Sequence, residues 1–162
     1  MELKMLDKIQ AHVKTLVRLV DKEYNCRLGL DFGAIDELGM VEYAILQSDF
    51  CAQAFATNFV NKCQPAASLS IFTMSLLHEL GHLETSNEMR DDTKQREKVH
   101  DLFSRDQKKG MEKYLKLHNE VIATEWAYSW FLENLAIVRA WDKSLTEIMK
   151  KFCEVNKITL DE

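Results

Sequence analysis

Residues 68–83 run Ser-Leu-Ser-Ile-Phe-Thr-Met-Ser-Leu-Leu-His-Glu-Leu-Gly-His-Leu, an apolar stretch long enough for a helix and carrying two histidines four residues apart near its end. A helix advances about 100° and 1.5 Å per residue, so His78 and His82 stand one above the other on one face, about 6 Å apart along the axis. Two imidazoles so placed can grip one cation. Zn2+ suits them, because it accepts neutral imidazole nitrogen at about 2.0–2.1 Å, and a catalytic zinc takes three protein ligands and leaves a fourth position to water. Glu79 lies one step from His78, a rotation of about 100° that takes its carboxylate off the coordination face and toward that open position. From there it can act as general base on a water that zinc has acidified toward a pKa of about 7, then return the proton to a leaving amine.

In a chain of this length and composition, chance places an H-E-x-x-H set about one time in a hundred, before any demand for a helical setting. The setting is also met. Pro65 fits the first turn of a helix, and Leu69, Phe72, Leu76 and Leu80 follow as an apolar stripe at i, i+3, i+7 and i+11. The chain has 162 residues and is 46% hydrophobic, which fits a single domain over 1–162 with a sizeable core. A net charge of −5 argues against a nucleic-acid footprint, which needs a concentrated basic face. No apolar run reaches the roughly 18 residues of a membrane span, and the first residues alternate charged and apolar side chains instead of forming a signal peptide. A cytoplasmic protein is expected. Cys26, Cys51, Cys63 and Cys153 contain no C-x-x-C pair and are expected to be reduced structural thiols.

Periodicity predicts a first helix over residues 2–24, with Leu3, Leu6, Ile9, Val13, Leu16, Val17 and Val20 on its packing face. Glycines then punctuate short segments at 27–32, 41–46 and 54–60 that partly alternate or carry β-branched and aromatic residues. They are expected to form a small sheet of about three strands. The last would lie beside the metal-binding helix, where an exposed edge could pair with an extended peptide. A charged helix is expected over 93–105 as a solvated face, then a turn at 106–110 and a long amphipathic stretch over 111–140. Ser144 and Glu147 have the spacing of a capping box opening a final helix through 152. The expected fold class is α+β, mostly helical, with the small sheet packed beside the H-E-x-x-H helix.

A third zinc ligand must come from a second helix. The metzincin arrangement is excluded, since Thr85 and Glu88 stand where Gly and His would be needed, and Glu88 has no glycine to turn the chain back. Glu120 is the preferred donor. It shares a helical face with Ala123 and Ala127, small residues that allow close approach to the metal-binding helix. Glu125 is rotated about 140° from Glu120 and carries bulkier neighbours, Ile122 and Tyr128. Glu112 lies near the beginning of its helix, and His118, about 200° from Glu120, is the main rival because imidazole is a common third ligand.

H-E-L-G-H-L at 78–83 followed by E-x-x-A-x-x-W-A at 120–127 resembles the ImmA/IrrE family of compact gluzincin metallopeptidases. The resemblance covers roughly residues 40–135 and is specific at the two motifs. It implies a minimal zincin-like fold, a zinc held by His78, His82 and Glu120, and proteolysis of a regulatory protein such as a transcriptional repressor. Thr124 and Trp126 stand where the family commonly has Asn and Phe.

Three functions are therefore open. The first is a zinc endopeptidase that uses Glu79 as its base on a protein or peptide partner. The second is a catalytically silent zincin-fold binding module of a phage or mobile element. The third is a zinc hydrolase of a non-peptide amide, because attack by an activated water serves both chemistries.

Overall fold

A computed structural model describes residues 2–20 and 50–155. The described helices are α1 (Glu2–Val20), α2 (Phe50–Lys62), α3 (Ile71–Glu84), α4 (Thr93–Arg105), α5 (Gln107–Tyr114), α6 (His118–Glu133) and α7 (Leu135–Val155), with 3-10 turns at Gln64–Ser68 and Ser86–Glu88. Among the described residues no helix is long and apolar enough to cross a membrane.

No strand occurs among the described residues, so the expected α+β class gives way to an all-helical arrangement there. Residues 54–60 belong to α2. Their short alternation is part of a longer helical period in which Ala52, Ala56, Phe59 and Cys63 are buried at i, i+4, i+7 and i+11. Phe55 and Phe59, one turn apart, bring their rings to 5.9 Å. Without a strand at 54–60, there is no sheet edge at that position for a peptide to pair with. Segments 27–32 and 41–46, also assigned to the sheet, lie outside the described residues.

Helix α3 starts later than Pro65 suggests. The proline opens the preceding 3-10 turn, and Ser70 caps α3 by accepting a hydrogen bond from the Thr73 backbone N–H at 3.2 Å. Asp142 of α7 reinforces this end. Its buried carboxylate accepts from the Ser70 backbone N–H and from the Ser70 and Thr73 hydroxyls. Helix α7 runs through the proposed capping box without a break, because Val138, Trp141, Leu145 and Met149 form one unbroken buried stripe past Ser144. Local capping chemistry loses there to packing.

That stripe joins the core formed with Val13, Leu16 and Val17 of α1. Complete burial of a side chain such as Leu16 or Leu145 contributes about 2 kcal/mol. Trp141 Nε1 donates to the His12 carbonyl at 2.8 Å, and His12 Nε2 lies 2.8 Å from the Trp141 carbonyl with the two rings stacked. His12 is thus absorbed by packing.

The expected stretch over 111–140 is three elements, broken at 115–117 and at Asn134. The expected turn at 106–110 contracts to Asp106, whose carboxylate caps α5 by accepting from the Lys109 backbone N–H. Gly110 is a packing position, because a Cβ there would collide with the backbone of Phe103. The α4–α5 hairpin closes on that contact.

Candidate metal centre

Helices α3 and α6 share the most extensive helix–helix contact among the described elements. Small residues make it possible. Ala123 and Ala127 are fully buried, and a Cβ on Gly81 would strike the Ala123 carbonyl oxygen. Glycine between the two histidines thus lets the backbones approach closely enough for a short carboxylate on α6 to reach imidazoles on α3.

Glu120 Oε2 lies 2.7 Å from His78 Nε2 and 2.9 Å from His82 Nε2. Three groups from helices far apart in sequence therefore meet at one point. The His78 and His82 ring centroids are 4.6 Å apart and nearly perpendicular, and Phe55 of α2 sets its ring against His78 at 5.1 Å. His78 Nδ1 lies 2.9 Å from Thr124 Oγ1, one turn along α6 from Glu120. In a metal-bound state, Nδ1–H donating to that hydroxyl would leave the Nε2 lone pair of His78 for the metal in place of the hydrogen bond that Nε2 now gives Glu120. Glu79 is exposed and brings a carboxylate oxygen within 4.8 Å of both imidazoles.

Glu120 is 4% exposed. Burial pushes its carboxyl up, but hydrogen bonds from His78 and His82, followed by the His82 charge and Arg96, outweigh it and hold the group well below the ordinary carboxylate range. His82 is raised, first by the hydrogen bond to Glu120; burial opposes this, and the charges of Glu120 and Glu79 add to it. Tyr114 is pushed up by burial and then by the negative charge of Glu120.

The donor set fits a zinc ion. Two imidazole nitrogens and one carboxylate oxygen converge, as in His2Glu catalytic sites. Bonds of about 2.0–2.1 Å in a tetrahedral shell would place neighbouring donors roughly 3.3 Å apart, so ligation would ask Glu120 Oε2 to draw back from each Nε2 by about half an ångström, within the reach of small torsional changes.

The rival ligands lie elsewhere. His118 opens α6 with Nε2 3.2 Å from the Glu88 carbonyl, while Glu88, Glu112 and Glu125 are exposed. Residues 93–105, read as a solvated face, contribute a group that the sequence did not single out. Arg96 Nη2 donates to Glu120 Oε1 at 2.9 Å, and Arg96 Nε donates to Asp92 at 2.9 Å. Asn119 Nδ2 in turn reaches Asp92 at 3.3 Å, and Asn119 pairs with both backbone groups of Arg90. The sequence did not single out Thr124 as a site residue either, although its i+4 spacing from Glu120 on the same face is a signal that could have found it. Arg96 offered only its i+4 spacing from Asp92, because the partner that ties it to this site, Glu120, is on another helix. A groove of about 800 Å³, walled by Arg96, Val99, Phe103, Met111, Tyr114 and Leu117, opens beside this cluster. The chain matches no known protein family model, no curated protein sequence and no solved structure.

Proposed function

We propose that this chain is a cytoplasmic zinc-dependent endopeptidase acting on a protein partner, with His78, His82 and Glu120 as metal ligands and Glu79 as general base. The observation that carries the proposal is the meeting of Glu120 Oε2 with both Nε2 atoms while Glu79 stays exposed beside them. A bound zinc supplies Lewis acidity that polarises a carbonyl and acidifies water. Thr124 holds the His78 ring in the tautomer that presents Nε2. Glu79 accepts the proton of the attacking water and delivers it to the departing amine. Gly81 sets the helix spacing on which these positions depend. The resemblance to ImmA/IrrE peptidases supports a regulatory protein, such as a transcriptional repressor, as substrate.

Glu79→Gln tests the assignment. The variant should retain about one zinc per chain by elemental analysis, while cleavage of a panel of protein and quenched-fluorescence peptide substrates falls by at least about a hundredfold. Equal cleavage by variant and parent would remove Glu79 from the mechanism. Stoichiometric zinc with no turnover by the parent on any substrate would favour the binding-module reading.

A further inference from the structure

The two oxygens of Glu120 face different partners. Oε2 points at the histidines, and Oε1 accepts from Arg96. A carboxylate with both oxygens free can chelate a metal through both and raise its coordination number. We propose that Arg96 is a positioning residue that reserves Oε1 and holds Glu120 to ligation through Oε2 alone. The inference rests on the metal reading above and adds a determinant of coordination number to it.

Arg96 is built into place for this task. Its Nε is engaged by Asp92, its guanidinium lies over the Tyr114 ring at 5.9 Å from the centroid, and Asp92 is tied to Asn119, the neighbour of Glu120 on α6. The chain of contacts leaves α6 at Glu120, crosses Arg96 and Asp92, and returns to α6 at Asn119. A guanidinium serves two carboxylates from a rigid planar fork, which an ammonium on a flexible stem does not reproduce. With Glu120 restricted to one oxygen, the three protein donors leave the fourth position of a tetrahedral shell open.

The test uses cobalt(II) and zinc(II) as probes on the full chain. Four-coordinate cobalt(II) absorbs strongly in the visible, and five-coordinate cobalt(II) absorbs weakly. The parent should show the strong bands. Arg96→Ala should show weakened, shifted bands and about 10- to 100-fold lower zinc affinity. Arg96→Lys should fall between them, and Asp92→Asn should move the spectrum in the same direction by less. A purely structural arginine would lower the melting temperature and leave the spectrum of the cobalt-loaded protein unchanged. An Arg96→Ala spectrum and zinc affinity equal to the parent's would overturn the inference alone. A parent that takes up neither metal would overturn the metal reading and this inference with it.

Discussion

Helix α3 meets a buried carboxylate near each end, and the two are held by different chemistry. At its N-terminus Asp142, 6% exposed, accepts from a backbone N–H and two hydroxyls, all neutral donors at the positive end of the helix dipole. Toward its C-terminus Glu120, 4% exposed, accepts from two imidazoles and a guanidinium. Neutral donors can only anchor an anion. Imidazoles can turn a lone pair toward a cation that the anion also attracts, so the second arrangement can become a metal site and the first cannot. Donor chemistry separates the brace from the site where burial alone does not.

The largest expected difference between the ends is in metal binding. Glu120→Ala should weaken zinc binding by more than about a hundredfold, beyond what loss of an outer-shell partner costs, whereas Asp142→Ala should stay within about threefold of the parent. Competition against a chromophoric chelator measures both. Similar losses at the two ends would abolish the distinction.

Stability should rank the other way. Asp142→Ala strands the Ser70 and Thr73 donors at a helix start and should cost about 2 kcal/mol in urea unfolding. Glu120→Ala in metal-free protein should cost less than half of that, because Arg96 keeps Asp92 as a partner and His82, raised by Glu120, can become neutral when that acceptor is gone. A larger loss for Glu120→Ala would make it the main structural brace.

A smaller effect is expected within the site. Thr124→Val keeps the shape but removes the partner of His78 Nδ1, and should weaken zinc binding about tenfold with little change in melting temperature. Unchanged affinity would mean that the His78 tautomer is fixed in some other way.

The smallest effect is the pH response of the metal-free protein. His82 is raised in the folded state, so its contribution is fully present below its unfolded pKa of about 6.5 and is lost as pH rises through the folded value. Glu120 is depressed, so its contribution is present above about pH 4.3 and is lost only as strong acid reaches the folded value. Together they favour a plateau between about pH 4.3 and 6.5 and a decline above it. Thermal melts of parent and Glu120→Ala check this; a decline of the same size in the variant would assign it to other groups.

Helical arithmetic made much of the candidate site legible. His78, His82, Glu120, Ala123 and Ala127 are spaced so that a 3.6-residue period alone puts them on the faces observed. The same period is hidden at 54–60, where a seven-residue window of aromatic and β-branched residues resembles a strand and only the longer window shows Ala52, Ala56, Phe59 and Cys63 in helical step. Ser144 and Glu147 had the local chemistry of a helix start, but the buried stripe through Leu145 carries the helix on. Arg96 and Asp142 were not legible, because each finds its meaning in a partner on another helix and periodicity carries no information about such pairs. Gly81 was visible inside the motif, yet its reason is the Ala123 carbonyl across the interface.

X-ray absorption at the zinc edge of the loaded protein reads the ligand set itself. Ligation by His78, His82 and Glu120 gives two imidazole nitrogens plus oxygen donors in a first shell at about 2.0–2.1 Å, with no sulfur. A sulfur shell near about 2.3 Å would place the metal at cysteines, and a shell without two imidazoles would contradict the convergence of His78, His82 and Glu120 on one ion.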